Sequence, residues 1–263
     1  MHRRQTPKWH GLGAILVGVG LLGACTGQFS EAATSELMPY PDTTRAAAAQ
    51  VRRLSVREVR NSLRDVFGVT DLGATRFPIE TAQGVFDNRT DDFNFPDSFA
   101  EALRDAAEAT GAQVAAALGS TLPCATSSAD DACARQFLDR YGPRAYRRLL
   151  AAEERDRLLA LFQKTRVTEE FPTAIAAMVE AMMQSPFFIF RREIGEGTSP
   201  IAPLAPYEVA SSPSYFLWGS TPDNELLRTA ADGTLSRHEG VEKQARRLLA
   251  DDRAKEGLRT FFL

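Results

Sequence analysis

Histidine is nearly absent from this chain of 263 residues. The chain has three histidines, and only His238 lies beyond the first ten residues. Histidine is the commonest general base and a common metal ligand, because its pKa is close to neutral. Its scarcity argues against sites built on a Ser-His-Asp or Cys-His arrangement and against histidine metal sites. We therefore expect no catalytic residue of that kind and no cofactor.

Cysteine is also scarce. The chain has Cys25, Cys124 and Cys133 and no Cys-x-x-Cys-His sequence, so a covalently bound haem is not expected. If Cys25 is modified by a lipid, an even number of cysteines remains. In an oxidising compartment an even number favours a disulfide, which would stabilise the fold by about 2–3 kcal/mol. Two free thiols or a metal-binding pair are the alternatives.

No apolar run is long enough for a transmembrane helix, but the N-terminus resembles an export signal. Basic residues at positions 3, 4 and 8 precede an apolar, glycine-spaced segment over 12–22. This pattern is typical of a secretory signal peptide and is too short to span a bilayer. The arginine pair at positions 3 and 4 is not continued as a twin-arginine motif, so the general secretory route is favoured. We predict a signal peptide over residues 1–24.

The signal ends in LGAC (22–25), which resembles the lipobox of bacterial lipoproteins. In that motif the cysteine is lipidated and becomes the new N-terminus, and its acyl chains hold the protein to a membrane. An ordinary signal peptide followed by a chance cysteine is the alternative. Thr26 follows Cys25, and a residue other than Asp there is typical of outer-membrane lipoproteins. We predict palmitate-bearing lipid on Cys25 and an outer-membrane lipoprotein of the cell envelope.

Positive charge is not in excess. The formal net charge is −3, and removal of residues 1–24, with three basic and no acidic side chains, changes it to −6. An acidic, exported chain argues against nucleic acid as a partner. Residues 25–50 are rich in Ser, Thr, Ala and Gly, a composition that predicts a flexible tether.

The most apolar stretch after the signal is AIAAMVEAMMQSPFFIFRRE (174–193). As far as Met183 only Glu180 is charged, and a helix that is apolar nearly all round is normally buried. Pro186 prevents its continuation. With helical periodicity on both sides, the stretch predicts an all-α fold, an irregular helical bundle with long loops. We expect a helical domain of two modules over 51–198, a third module over 199–263, and burial of Met178, Met182 and Phe188.

Local signals predict where several helices begin and end. Ser55 and Glu58 have the spacing of a capping box, with Gly68 at the C-terminal cap position. Ser236 and Glu239 have the same capping-box spacing. Gly142-Pro143 predicts a break between two helices.

Arginines are concentrated in two places. One set lies on the first helix beside Glu58 and Asp65, and a tighter set spans 144–148, before Glu153, Glu154 and Asp156. We interpret both sets as surfaces of ion pairs rather than anion sites, because acids lie close in sequence.

A cluster of oxygen-bearing side chains is the one candidate for a metal. It consists of Asp87, Asn88, Asp91 and Asp92, and calcium prefers six or more oxygen ligands. The spacing is not that of an EF-hand, and Arg89 places a positive charge inside it. A turn in which these side chains bond their own backbone is the favoured alternative.

Candidate catalytic carboxylates are Glu180, inside the apolar helix, and Glu208, together with the aspartates of that cluster. Burial without a partner would raise the pKa of Glu180. The alternative is a salt bridge from Glu180 to Arg191 or Arg192, or a place on the wet edge of the helix. Trp218 and Tyr215 are interpreted as core, with a sugar-stacking platform as the alternative.

Three groups of residues carry a family resemblance: RRLSVREVRNSLRDVFGV (52–69); CARQFLDRYGPRAYRRLL (133–150) with QSPFFIFRREIG (184–195); and YEVASSPSYFLWGSTPDNELL (207–227) with QARRLLADDRAKEGLRTFF (244–262). In this order they resemble the first three domains of large exported proteins found mainly in Planctomycetes and myxobacteria. Those proteins are built from serial domains of unknown function, in some members fused to cytochrome c.

The resemblance implies that Cys124 and Cys133 match the cysteine pair of the second domain. It also implies a third domain that normally continues well beyond residue 263, so that the chain is truncated within it. The family has Arg-Leu where this chain has Ser212-Pro213, and Pro213 predicts a kink or an early end of that helix.

The expected function is that of a lipid-anchored envelope protein, a non-enzymatic docking or structural module. Its expected partners are the membrane, through the lipid, and an envelope protein, with a cytochrome-bearing one as a candidate. The alternative is an enzyme, or an accessory of one, that degrades extracellular polymers with a carboxylate pair.

Overall fold

A computed structural model describes residues 50–80, 95–196 and 202–262, with side chains over 51–259 of those ranges. The predicted signal peptide, most of the tether and Cys25 lie outside the described residues. The same is true of Asp87, Asn88, Asp91 and Asp92, so the predicted lipid site and the weak metal candidate stay predictions.

Helices dominate the described part of the chain, which confirms the predicted all-α class. The helices are α1 (Val56–Phe67), α2 (Asp97–Thr121), α3 (Cys124–Ser127), α4 (Asp131–Tyr146), α5 (Ala152–Arg166), α6 (Phe171–Met183), α7 (Pro186–Ile189), α8 (Pro206–Trp218), α9 (Asn224–Ala231), α10 (His238–Ala250) and α11 (Arg253–Phe262). Two short strands, β1 (Gln50–Arg53) and β2 (Phe190–Glu193), complete the fold. Among the described helices, none has the length and apolar character needed to cross a bilayer.

Helix α1 begins and ends as its sequence predicts. The Ser55 hydroxyl accepts a hydrogen bond from the amide of Glu58, and the Glu58 carboxylate accepts one from the amide of Ser55. Gly68 closes the helix in the left-handed conformation at φ 75°, where a side chain would be strained. Both ends are therefore satisfied by groups that are adjacent in sequence.

Proline ends neither α4 nor α8. The predicted break at Gly142-Pro143 is therefore wrong, and of the two predictions for Pro213, a kink or an early end, the early end is wrong. Helix α4 continues through Gly142 and Pro143 to Tyr146, and α8 continues through Pro213 to Trp218. Each proline removes one hydrogen bond inside its helix. The residues that follow it, such as Tyr146 and Trp218, are almost fully buried, and this burial opposes the local cost.

The predicted capping box at Ser236 is also wrong. Ser236 lies in a 3₁₀ turn (Thr234–Ser236), and α10 begins at His238. The turn approaches the helix closely, because a Cβ at Gly240 would lie 2.1 Å from the carbonyl oxygen of Thr234. Contact with this turn, rather than a side-chain cap, defines where α10 begins.

Helix α6 lies at the centre of the main core. Met178 and Met182 are fully buried and Phe188 is 1% exposed, as predicted. Helix α2 packs closely on α6, since a Cβ at Gly111 would lie 3.1 Å from the carbonyl oxygen of Ala176. Side chains from α1, α2, α4, α5, α6 and α7, together with Tyr215 of α8, complete one continuous apolar cluster.

A second, smaller core joins the helices from α8 to α11. Trp218, Leu226, Leu248 and Ala254 form its centre. Helix α11 approaches α8 at backbone distance, because a Cβ at Gly257 would lie 1.9 Å from the carbonyl oxygen of Leu217. Only glycine fits that position without a shift of one of the helices.

Strands β1 and β2 form an antiparallel ribbon that the sequence analysis did not predict. Val51 lies opposite Arg192, and Arg52 lies opposite Arg191. Side chains alternate between the faces of a strand, so the ribbon has two different faces. On one face, Arg52 and Arg191 contact the buried Glu58 at 2.9 Å and 3.5 Å, and the predicted pairing of first-helix acids with arginine is confirmed there.

The disulfide prediction is confirmed. Cys124 and Cys133 are bonded, with their Cα atoms 5.6 Å apart. The bond connects the short helix α3 to the first turn of α4, where the Asp130 side chain accepts a hydrogen bond from the amide of Cys133.

Candidate functional site

A cleft of about 230 Å³ opens beside the ribbon. It is lined by the end of α4, by α7 and β2, by the turn after β2 and by the first two turns of α8. The lining residues are Tyr146, Arg147, Arg148, Phe187, Phe190, Arg192, Gly195, Glu196, Ala205, Tyr207, Glu208 and Ser211. The cleft therefore combines four aromatic rings with three arginines and two glutamates.

Arg147 lies at the base of the cleft. It follows α4 in the left-handed conformation (φ 59°), and it is the only non-glycine residue with positive φ in the described ranges. Its buried guanidinium donates to the carbonyl oxygens of Phe188 (3.1 Å) and Phe190 (2.8 Å) and to the Tyr215 hydroxyl (3.3 Å). No carboxylate of the described residues pairs with it.

This arrangement corrects the prediction for the second arginine set. Arg147 binds backbone carbonyls at the end of α7, where the helix dipole favours a positive charge, and not the acids of α5. Arg148 does form the predicted ion pair, at 2.7 Å from Glu154. The pKa of Glu154 is lowered, because the hydrogen bond from Arg148, together with one from the Ala151 amide, outweighs the effect of burial.

Aromatic rings form one wall of the cleft. The guanidinium of Arg148 lies 4.4 Å from the ring centre of Phe187, and the rings of Phe187 and Tyr146 are 5.6 Å apart. Arg148 is thus held by a carboxylate on one side and a ring on the other. Phe187, Phe190 and Tyr207 remain partly accessible to solvent.

Glu208 has a structural role at the opposite wall. Its carboxylate accepts hydrogen bonds from the backbone amides of Ile194 (3.3 Å), Gly195 (2.9 Å) and Ala205 (3.1 Å). Gly195 has φ 73°, and the amide of Glu196 bonds to the carbonyl of Pro203. The carboxylate therefore connects the turn after β2 to the start of α8 and shapes the cleft.

Arg192 is the exposed cation of the cleft. It projects from the ribbon face opposite to Glu58, across from Val51. Within the described residues it has neither an ion pair nor a hydrogen bond from its side chain. Its guanidinium is thus available at the cleft, in contrast to those of Arg147 and Arg148.

Glu180 does not belong to this cleft. Its carboxylate faces Gly111 of α2, and Arg191 pairs with Glu58 and Glu193 instead. The predicted salt bridge is therefore wrong, whereas the partial exposure of Glu180 agrees with the alternative, a place on the wet edge of the helix. Burial, and then the negative charge of Glu108, raise the pKa of Glu180. The two candidate carboxylates, Glu180 and Glu208, are therefore not brought together.

Across the described ranges, no group of three His, Cys, Asp or Glu side chains could hold a metal ion.

Tyr215 and Trp218 are core residues, as the favoured interpretation predicts. They are 3% and 2% exposed. The Tyr215 ring lies 4.7 Å from the guanidinium of Arg191, and its hydroxyl bonds to Ser62 of α1. Neither ring can offer a face to a sugar.

The roles of Arg147, of Arg192 and of the Phe187 ring were not predicted from the sequence. A signal was present, because YRRLL and QSPFFIFRRE are the stretches on which the family resemblance depends. What it could not show is that the two stretches meet around one guanidinium.

Three family models match the chain in series. Residues 52–116 match a protein of unknown function (DUF1587), residues 133–193 another (DUF1595) and residues 204–263 a third (DUF1592). The chain thus carries three domains of unknown function in tandem, as the resemblance predicts. No curated protein and no solved structure matches it. The cleft lies where the DUF1595 and DUF1592 segments meet, with lining residues from both.

Proposed function

We propose that this protein is a lipid-anchored docking module of the bacterial outer membrane, exported by the general secretory route, with no reaction of its own. The observation that carries the docking role is the cleft at the junction of the second and third domains. It exposes aromatic rings and the guanidinium of Arg192, while the charges of Arg148 and Glu208 are used to hold its walls. This combination suits recognition of another molecule better than bond cleavage.

The partner that we propose is an envelope protein. The resemblance to exported proteins of Planctomycetes and myxobacteria supports this, since some of those proteins carry cytochrome c. A cytochrome-bearing partner is therefore the first candidate, and the present chain would hold it near the membrane without binding haem itself.

The lipid anchor is tested by metabolic labelling. Cells expressing the wild-type chain or Cys25→Ala are grown with radiolabelled palmitate, and the protein is immunoprecipitated. We expect label on the wild-type protein only, because the thiol of Cys25 is the acceptor of the lipid. Equal labelling of both proteins would overturn the anchor.

Docking is tested by photo-crosslinking in intact cells. A photoreactive amino acid replaces Glu196, at the mouth of the cleft, or Arg135, an exposed residue of α4 that does not line it. We expect a discrete cross-linked band from position 196 and none from position 135. Mass spectrometry then identifies the partner in the band from position 196. Equal bands from both positions, or no band from either, would contradict docking at the cleft.

A polymer-degrading enzyme is the second candidate. One observation favours it, namely that two carboxylates, those of Glu196 and Glu208, line the same cleft. Against it, Glu208 accepts three backbone hydrogen bonds and so has few lone pairs left for chemistry. Purified protein should release no reducing ends from envelope polysaccharides, whereas release that is lost in both Glu196→Gln and Glu208→Gln would establish the enzyme instead.

A further inference from the structure

Among the described residues, the charges around the cleft leave one cation for a ligand. Arg148 is neutralised by Glu154, with both of its terminal nitrogens on that carboxylate. Glu208 is satisfied by backbone amides. Arg147 is enclosed by carbonyl oxygens and is only 5% exposed. Arg192 remains, exposed and without an acidic partner in the described part of the chain.

Apolar side chains surround Arg192 on its own face of the ribbon. Phe190 and Ile194 lie two positions away along the chain, on either side, and Val51 lies directly opposite. Val51 is 52% exposed and Ile194 40% exposed. Phe95, 44% exposed, extends the patch, with its ring 6.2 Å from that of Phe190.

This geometry fits a peptide better than a membrane. Binding to anionic lipid generally requires a cluster of about four to eight basic residues, whereas among the described residues that line this cleft Arg192 is the one unpaired arginine and Glu196 lies in the same lining. An isolated guanidinium with apolar neighbours instead suits one carboxylate, which it can bind through two parallel hydrogen bonds. Flanking apolar groups of the ligand would then contact the rings.

We propose that the cleft binds an extended acidic segment of the partner, in which one Asp or Glu pairs with Arg192 and large apolar side chains flank it at two-residue spacing. This inference rests on the docking role proposed above. The spacing follows from β2, where the side chains of Phe190 and Arg192 share one face and alternate with those of Arg191 and Glu193 on the other. The proposal thus specifies the chemistry of the partner, which the docking role alone does not.

The test measures fluorescence anisotropy of labelled peptides with the full-length protein in detergent. The probe is Ser-Phe-Ser-Glu-Ser-Leu-Ser, and the comparison peptides carry Gln or Lys in place of Glu. We expect the Glu peptide to bind the wild-type protein, and to bind Arg192→Glu about tenfold more weakly, because the charge pair becomes repulsive. The Lys peptide should prefer the Arg192→Glu variant.

The matched control is Arg135→Glu, which makes the same charge change on an exposed face of α4. Position 135 lies eleven residues before Tyr146, or about 16 Å along the helix. We expect its affinity for the Glu peptide to stay within about twofold of wild type, since the Debye length at physiological salt is about 8 Å. An equal loss in both variants would show general electrostatics and overturn the proposal.

Three further results would also overturn it: equal binding of the Gln and Glu peptides, binding of phosphatidylglycerol vesicles that is lost in Arg192→Glu, or self-association in sedimentation that is lost in the same variant. Failure of the docking role is distinguishable. Selective binding of the Glu peptide without a cross-link at position 196 would support the acidic ligand and contradict docking in cells. A cross-link at position 196 without peptide selectivity would support docking and contradict the acidic ligand.

Discussion

The two apolar cores formed by the described residues are stabilised by different kinds of contact. The main core is large and consists of side chains such as Phe137 and Phe162, both at most 1% exposed, from seven helices. The core of the third domain is small, and its largest side chain, Trp218, is flanked by cations. The guanidinium of Arg253 lies 3.5 Å from its ring centre and that of Arg247 5.8 Å.

The difference follows from the amount of apolar surface available. A small core buries little area, so other contacts must contribute more of its stability. Arg247 binds Asp223 at 2.8 Å, the Trp218 indole donates to the carbonyl of Leu248, and Gly257 lets α11 approach α8. The third domain thus depends on a few polar contacts, whereas the main core depends on many equivalent apolar ones.

The largest expected effects come from removing one ring from each core. Phe137→Ala and Trp218→Ala should each lower the free energy of unfolding by about 3–5 kcal/mol. Hydrogen exchange measured by mass spectrometry should separate them. Phe137→Ala should raise exchange throughout the main core, and Trp218→Ala should raise it from α8 to α11 while α2 and α6 stay protected.

The comparison fails if Trp218→Ala raises exchange in α2 and α6 as much as in α10. The two cores would then unfold as one cooperative unit. Tyr215 would be the physical reason, since it belongs to α8 but packs in the main core.

The disulfide contributes to the main-core region only. Cys124→Ala combined with Cys133→Ala should lower the free energy of unfolding by about 2–3 kcal/mol, because a short loop of the unfolded chain is no longer closed. Urea denaturation followed by circular dichroism measures this. Under reducing conditions the wild-type protein should lose nearly the same amount, and a wild-type midpoint that does not respond to reductant would contradict the prediction.

The cap of α1 is expected to have a smaller effect. Ser55→Ala should cost about 1 kcal/mol, because the amide of Glu58 loses its partner. Ser128→Ala, an exposed serine at the end of α3, serves as the control and should change stability by less than about 0.5 kcal/mol. Equal losses would mean that the hydroxyl of Ser55 is not what stabilises the helix.

The smallest effects concern pH and have opposite signs in the two regions. The pKa of Glu180 is raised by burial and by Glu108, so the unfolded state releases this proton first and stability falls as the pH rises above about 4.5. The Glu180→Gln variant should therefore have a higher free energy of unfolding than wild type at pH 7, by less than about 1 kcal/mol, and no such advantage at pH 4.

In the third domain, the hydrogen bond from Arg253 lowers the pKa of Asp251 to about 2. The resulting stability is present above the usual pKa of 3.8 and is lost as the pH falls towards 2. Asp251→Asn should thus be less stable than wild type at both pH 7 and pH 4.5, again by less than about 1 kcal/mol. The midpoints of urea denaturation at these pH values check both variants. A stability change of the same sign in Glu180→Gln and Asp251→Asn at pH 7 would contradict the prediction.

Most of the helices could be predicted from the sequence, because their signals are local. The cap of α1 involves Ser55, Glu58 and Gly68, all within fourteen residues. The failures share one cause: Pro143 and Pro213 carry a strong local signal that distant packing outweighs. The same is true of Ser236, where a contact between Gly240 and Thr234 decides the start of α10.

The candidate site was much less predictable, because its parts are far apart in the chain. Arg147 meets the carbonyl of Phe188 forty-one residues later and the hydroxyl of Tyr215 sixty-eight residues later. Neither periodicity nor composition encodes such distances. The ribbon was missed for a related reason, since β1 and β2 are four residues each and pair across most of the first two domains.

Position 147 makes two demands that conflict. Its left-handed backbone favours glycine or asparagine, whereas the ring of carbonyl oxygens around its side chain requires the planar, five-donor guanidinium. No other side chain satisfies both requirements, so a substitution of Arg147 would require the surrounding turn to change at the same time. We expect this arginine to serve as a landmark that identifies remote copies of these domains after most apolar positions have been exchanged.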